Sequence, residues 1–210
     1  MEAMMKSNLS SDIRITAFLV AIIGLFFATL PLSAADYTYT EIIPPNWLWS
    51  SCRAAINDSG VVAGWGYDGT SWKAFTYYQG TYQIITQAGW NAIYPLSMNN
   101  NGTIVGEAQP AGSLAFRAVI YSEGVLTDLT PTGVSQARLV DINDNGDMIG
   151  NTYTDPIGFL YSDGVYTQLL PPGWTGSIVH AISNDGTVIG RNLANNKQFL
   201  YKNGTYIHYN

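Results

Sequence analysis

Apolar positions along the chain fall in short runs, separated by polar turns rich in glycine and asparagine about every ten residues, a spacing that predicts short β-strands. One run returns four times. It reads Ala55-Ile56-Asn57-Asp58-Ser59-Gly60-Val61-Val62-Ala63-Gly64, then Ser97-Met98-Asn99-Asn100-Asn101-Gly102-Thr103-Ile104-Val105-Gly106. It continues as Asp141-Ile142-Asn143-Asp144-Asn145-Gly146-Asp147-Met148-Ile149-Gly150 and Ala181-Ile182-Ser183-Asn184-Asp185-Gly186-Thr187-Val188-Ile189-Gly190. The turn glycines Gly60, Gly102, Gly146 and Gly186 stand 42, 44 and 40 residues apart. A period of this length marks a repeat architecture.

Two further elements keep step with the first. Phe75-Thr76-Tyr77, Val119-Ile120-Tyr121, Phe159-Leu160-Tyr161 and Phe199-Leu200-Tyr201 each place two large side chains two residues apart, on one strand face. A glycine follows each at a fixed offset, as a tight hairpin requires. After it comes a strand headed by Tyr82, Leu126, Tyr166 or Tyr206, then a longer loop carrying Pro and Trp. Each repeat therefore predicts four short antiparallel strands and a crossover. The repeats cover about 54–90, 96–134, 139–174 and 179–209, with an extra strand expected over 37–43. A sheet of this kind cannot bury both faces alone, so the expected fold is all-β: a β-propeller-like array of four four-stranded antiparallel blades. The second-strand glycines Gly64, Gly106, Gly150 and Gly190 fit close approach of another backbone or a β-bulge.

Residues 1–35 have a different character. Lys6 and Arg14 precede an apolar run from Ala17 to Leu30, and Ser33-Ala34-Ala35 supplies small residues for cleavage. The pattern is that of a signal peptide, with an uncleaved anchor as the alternative; the run is short for a membrane span. It makes residues 36–210 a single β-repeat domain with no membrane span, in a secreted, extracellular or periplasmic setting. Charged residues are only 11% of the chain, and the net charge of −6 lacks the basic footprint that a nucleic-acid partner needs. The lone cysteine, Cys52, cannot form an internal disulfide.

With these repeats in view, the combination of Ala-x-x-Ile-Asn-x-x-Gly-x-Val-Val-Gly with a following Phe-Leu-Tyr-x-x-Gly resembles the HAF repeat of bacterial exported proteins. The resemblance spans about residues 54–208. It departs at the family's His-Ala-Phe signature, where this chain has Lys73-Ala74-Phe75, Arg117-Ala118-Val119, Ile157-Gly158-Phe159 and Lys197-Gln198-Phe199. The resemblance implies an extracellular or envelope-associated repeat protein of propeller-like fold, without an established enzymatic activity.

The search for chemistry yields few candidates. The histidines are His180 and His208, and neither lies in a nucleophile motif, so no catalytic residue is assigned and no cofactor is implied. Asp141, Asn143 and Asn145 match the first half of a calcium loop, but Thr152 stands where that loop needs its acidic twelfth ligand. A hairpin turn in which Asn and Asp bond their own backbone accounts for the same residues. Trp47, Trp90 and Trp174 hold equivalent places in the crossovers, with Val134 in the fourth and Trp49 nearby. On one face of a ring they would offer flat apolar platforms to a glycan or protein partner; wedged between blades they would be core. The expectation is a non-catalytic binding or scaffolding module. A lectin-like propeller and a propeller hydrolase are the alternatives. Open sheet edges would also offer a contact for a homodimer.

Overall fold

The computed structural model describes residues 39–52 and 55–209. The expected signal segment, 1–35, lies outside them. Residues Glu41–Asn210 form one compact unit; of the other, Met1–Thr40, only Tyr39 and Thr40 are described, both exposed. All regular structure among the described residues is β.

Four sheets follow one another along the chain. The first holds β1 (Trp49–Ser51), β2 (Val62–Tyr67), β3 (Trp72–Tyr78) and β4 (Thr81–Ile85). The second holds β5 (Trp90–Met98), β6 (Ile104–Pro110), β7 (Arg117–Ser122) and β8 (Val125–Asp128). The third holds β9 (Ala137–Ile142), β10 (Met148–Thr152), β11 (Gly158–Ser162) and β12 (Val165–Leu169). The fourth holds β13 (Ser177–Ile182), β14 (Val188–Asn192), β15 (Gln198–Lys202) and β16 (Thr205–Tyr209). Each sheet is an antiparallel meander of consecutive strands, the order that the repeat predicts. The first sheet starts earlier than expected, at Trp49, and Ile56 rejoins it through an isolated bridge to Val62.

The expected extra strand over 37–43 is not formed in its described part, 39–43. As an outer strand it would pair with a preceding sheet, and none is formed among the described residues. It lies against the first sheet instead. The Ile42 carbonyl accepts from Ser50 Oγ at 2.7 Å, and the Ile43 backbone is hydrogen-bonded to Tyr82. The fourth sheet is completed by its own β16.

Three buried clusters hold the four blades together. Ala55, Ala63 and Ala74 of the first blade meet Met98, Ile104 and Val119 of the second. Val105 and Ala118 meet Leu139, Ile142, Met148 and Phe159. Ile149 meets Val179, Ile182, Val188 and Phe199. Each blade thus presents a face of small and aliphatic residues to the larger residues of the next. At roughly 1.5–3 kcal/mol for each large side chain withdrawn from water, these joints dominate the stability. Packing of comparable extent runs only between successive blades.

The second-strand glycines have a specific cause. Gly64, Gly150 and Gly190 lie directly across from Phe75, Phe159 and Phe199, whose rings fold over them. A Cβ on Gly150 would stand 2.3 Å from the Phe159 ring and 2.4 Å from the Arg138 carbonyl oxygen. On Gly106 it would stand 2.1 Å from the Tyr94 carbonyl oxygen. The close backbone is therefore the first strand of the same sheet. The register of that strand shifts at this level in the last three blades. Close approach and β-bulge are one feature.

The glycine turns crowd around the inner strands and bond across the joints. Asp58, Asn100, Asp144 and Asn184 occupy the same turn position and form a ladder. The backbone N–H of Asp58 donates to Asn100 Oδ1 (2.9 Å), that of Asn100 to Asp144 Oδ1 (2.8 Å), and that of Asp144 to Asn184 Oδ1 (2.9 Å). In return, Asn100 Nδ2 donates to Asp58 Oδ2 (2.8 Å) and Asp144 Oδ2 (3.0 Å), and Asn184 Nδ2 to Asp144 Oδ2 (2.9 Å). The N–H of Asn100 and the Asn184 amide hold the Asp144 carboxyl below the ordinary carboxylate range. Its contribution is therefore present above that range and fades as the pH falls.

Two outcomes follow for stability. Gly150→Ala should cost about 3 kcal/mol through overpacking, and Gly146→Ala, at φ +89° but in open space, about 1 kcal/mol through backbone strain alone; urea unfolding midpoints distinguish the two. Asn100→Asp should lower the midpoint by lining up three carboxylates. The loss should shrink with added salt and as the pH falls toward 4, where a protonated carboxyl again donates.

Candidate binding face

The two ends of the array differ in kind. One end carries the short glycine turns. The other carries every crossover and every loop between second and third strands, and the tryptophans singled out in the sequence lie there. Trp47 and Trp174 stand edge-on to Phe75 and Phe199, with ring centroids 5.5 Å and 5.7 Å apart. Each is half-buried behind a fully buried proline, Pro44 or Pro171. Trp90 is the first residue of β5 and packs on the cluster between the first and second blades. Trp90 and Trp174 are wedges in two different blade joints, whereas Trp47 packs on the first blade alone, and the fold does not bring the three rings together.

Val134 stands where the third blade would have its tryptophan. The smaller side chain leaves a groove of about 460 Å³ lined by Val134, Ile157, Phe159, Tyr166, Thr152 and Gln168. Phe159, edge-on to Tyr166 at 5.9 Å, forms part of its wall.

Trp49 has a different setting. It is 45% exposed and lies 5.0 Å from Trp65 and 5.7 Å from Trp72, itself 40% exposed. From this trio a row of ring contacts crosses two blade joints: Trp65 to Tyr94 at 4.7 Å, Tyr94 to Phe116 at 5.8 Å, Phe116 to Tyr153 at 6.4 Å. Trp49, Trp65, Trp72 and Tyr94 lie within strands, and Phe116 and Tyr153 directly adjoin β7 and β10, so sheet hydrogen bonds fix the row. Beside Trp72, Asp68 is tied to Lys73 and to Thr70, which hold its carboxyl well below the usual range.

The far end of the row is polar. The Tyr153 hydroxyl donates to Glu107, and the Arg138 guanidinium lies 5.5 Å from the centre of the Tyr153 ring. Burial first, then the Glu107 carboxylate, pushes the Tyr153 phenol up to about 12. His180 is nearby in the electrostatic sense: burial, Arg191 and Arg138 lower its affinity for a proton. Cys52 is half-buried, and burial raises its thiol.

The calcium-loop candidates are engaged elsewhere. Asp141 accepts from Ser97 Oγ at 2.7 Å and from the Ile182 N–H at 2.9 Å, joining three blades. Asn143 Oδ1 accepts the N–H groups of Asn145 (3.0 Å) and Asp147 (2.9 Å). Asn145 donates to the Asn184 carbonyl at 2.7 Å. Gly60, Gly102, Gly146 and Gly186 all have φ between +79° and +89°, closing these turns. Among the described residues no three His, Cys, Asp or Glu side chains gather as metal ligands would.

Sequence reasoning missed Trp65 and Trp72. Trp65 follows the repeat glycine, where the other blades have Glu107, Asn151 and Arg191, so the repeat gave it no prominence. The available signal was local: Trp47, Trp49, Trp65, Tyr67 and Trp72 cluster within one repeat.

Comparison with solved structures gives the class. TolB from Acinetobacter baumannii superposes with a TM-score of 0.55 at 16% identity, covering 74% of this chain and 42% of its own. The β-propeller domain of the Trilobed protease from Pyrococcus furiosus, described as having an open velcro topology, gives 0.50 at 13%, covering 70% and 51%. A catalytically inactive virginiamycin B lyase from Staphylococcus aureus, with quinupristin, gives 0.55 at 15%, covering 84% and 60%. The chain is an all-β, propeller-like array and spans less than two thirds of the length of these structures. No known family profile and no curated protein matches it. Among the described residues no helix is long and apolar enough to cross a membrane.

Alkaline titration tests the polar end of the row. Tyr153→Phe should remove tyrosinate absorbance whose midpoint is raised from the ordinary value of about 10 to about 12. Because the folded-state value is raised, the stability tied to Tyr153 is complete below about pH 10 and is lost as the pH rises through that window. Glu107→Gln should move the same transition downward.

Proposed function

We propose that this protein is an exported, non-catalytic binding or scaffolding module acting at the cell envelope or outside the cell, and that it is a divergent relative of the HAF repeat proteins. The observation that carries the binding reading is the trio Trp49, Trp65 and Trp72, in which exposed Trp49 and Trp72 pack on a half-buried Trp65. Three rigid indoles in mutual contact bury much area on association and lose little rotamer freedom, the character of interface hot spots. The leader-like residues 1–35 and the low charge support export.

The non-catalytic reading is supported by the engagement of the acidic groups. Glu107 accepts from Tyr153, Asp141 links three blades, and Asp144 belongs to the ladder. Such groups are fixed as acceptors within the fold rather than poised around a common point, as a propeller hydrolase would require.

A carbohydrate ligand is the second reading. The observation favouring it is the juxtaposition of the indole faces with Asp68, Thr70 and Lys73, polar groups suited to sugar hydroxyls. Trp47, packed on the first blade, and Trp90 and Trp174, wedged in separate joints, would then serve this face by supporting its loops.

A glycan array on the protein, followed by tryptophan-fluorescence titration of any sugar retained, tests both readings. A carbohydrate ligand should bind with Trp49→Ala and Trp72→Ala each weakening affinity at least about tenfold, or ~1.4 kcal/mol, while Trp174→Ala acts mainly on stability. Binding unaffected by Trp49→Ala and Trp72→Ala would reject this face. An array without binding would reject the glycan and leave a protein partner as the ligand.

A further inference from the structure

Among the described residues, two blade faces lack the neighbour that every internal face has. At the leading face of the first blade, Ile56 is 64% exposed, whereas its equivalents Met98, Ile142 and Ile182 are 7%, 6% and 8% exposed. At the trailing face of the fourth blade, Ile189 is 37% exposed, whereas Ala63, Val105 and Ile149 are at 0%, 1% and 0%. These are the residue positions that meet at each internal joint: Met98 with Ala63, Ile142 with Val105, Ile182 with Ile149.

The turn ladder ends at the same two faces, and its ends are complementary. It alternates carboxylate and amide: Asp58, Asn100, Asp144, Asn184. Asn100 donates its amide to a carboxylate on either side, and Asp144 accepts an amide from either side. At the ends, Asn184 has a carboxylate on one side and Asp58 an amide on one side, among the described residues. The backbone N–H of the other three turns reaches the next side chain along; the next side chain after Asn184 would have to be an acceptor.

We propose that two copies of this chain join head to tail through these faces, closing a ring of eight blades. Ile189 of one copy packs on Ile56 and Val62 of the other, repeating the internal joints, and Asn184 of one copy donates its amide and backbone N–H to Asp58 of the other. The alternation of carboxylate and amide then runs unbroken around the axis. Two such heterologous joints close on themselves. Eight blades is the upper end of the usual propeller range, so closure occurs at two copies. The contact differs from pairing of strand edges, because it uses sheet faces rather than the outer edge of β16.

Sedimentation velocity with light scattering tests this on the purified protein. The native chain should be a dimer at concentrations up to about 0.1 mM, a range that captures micromolar affinities. Ile189→Lys and Ile56→Glu alter opposite faces at positions exposed in the single chain. Each alone should give a monomer with unchanged β-sheet circular dichroism. An equimolar mixture should restore a mixed dimer, with one Lys–Glu joint and one native joint. Leu200→Glu, at the position where Ile120 and Leu160 pack on the internal joints, is the second variant for the trailing face, should Ile189→Lys unfold the chain. A native monomer throughout the range would overturn the proposal and assign these faces to a different partner. Variants that remain dimeric, or a mixture that remains monomeric, would overturn the pairing of faces. Species that lengthen with concentration would overturn the closed ring.

Discussion

Burial between unlike blade faces governs this molecule. A four-stranded sheet has two faces, and here both are apolar over much of their area. The trailing face is made of small and aliphatic side chains; the leading face carries aromatic and long aliphatic ones. Large residues fill the space that small ones leave, so the faces fit only in one sense, and the blades follow one another in chain order. A single blade has no stable alternative in water, since each face must lie against a neighbour. Crossover length, tryptophan wedges and inner turns all serve this stacking.

Each blade also needs room for its own ring. Phe75, Phe159 and Phe199 lie across a glycine of the adjacent strand, and the first strand bulges at the same level. The second blade has Val119 in place of phenylalanine and retains Gly106, because the Tyr94 carbonyl still approaches it. The glycine thus answers to the backbone first and to the ring second. On the outer strands, Tyr166 reaches the Leu129 carbonyl at 2.5 Å, anchoring the third blade to the end of the second.

The architecture was legible in the sequence because each position has the same task in every blade. Turn glycines recur where φ must be positive, and Phe-x-Tyr recurs where two rings must share a face. What the repeat obscured were the departures from it. Residues 39–43 resemble an outer strand because they copy residues 166–170, yet a strand needs a partner strand, and among the described residues none pairs with them. The Asp/Asn turns were read as local structure. Their bonds across the joints depend on turns 40 to 44 residues apart meeting in space. The tryptophan trio was half visible: Trp49 stood out, but Trp65 and Trp72 belong to one blade alone. Val134 was visible as the exception among the crossover tryptophans, and the groove follows from the volume it leaves.

Every sheet here is assembled from four consecutive strands, with none borrowed from the other end of the chain. A closed ring of such sheets has no covalent latch; only the last noncovalent seam holds it shut. The same property makes the unit of inheritance a whole blade. Gene duplication or loss of one repeat would lengthen or shorten the array without leaving a sheet incomplete, so blade number can drift while the internal chemistry of each blade stays the same.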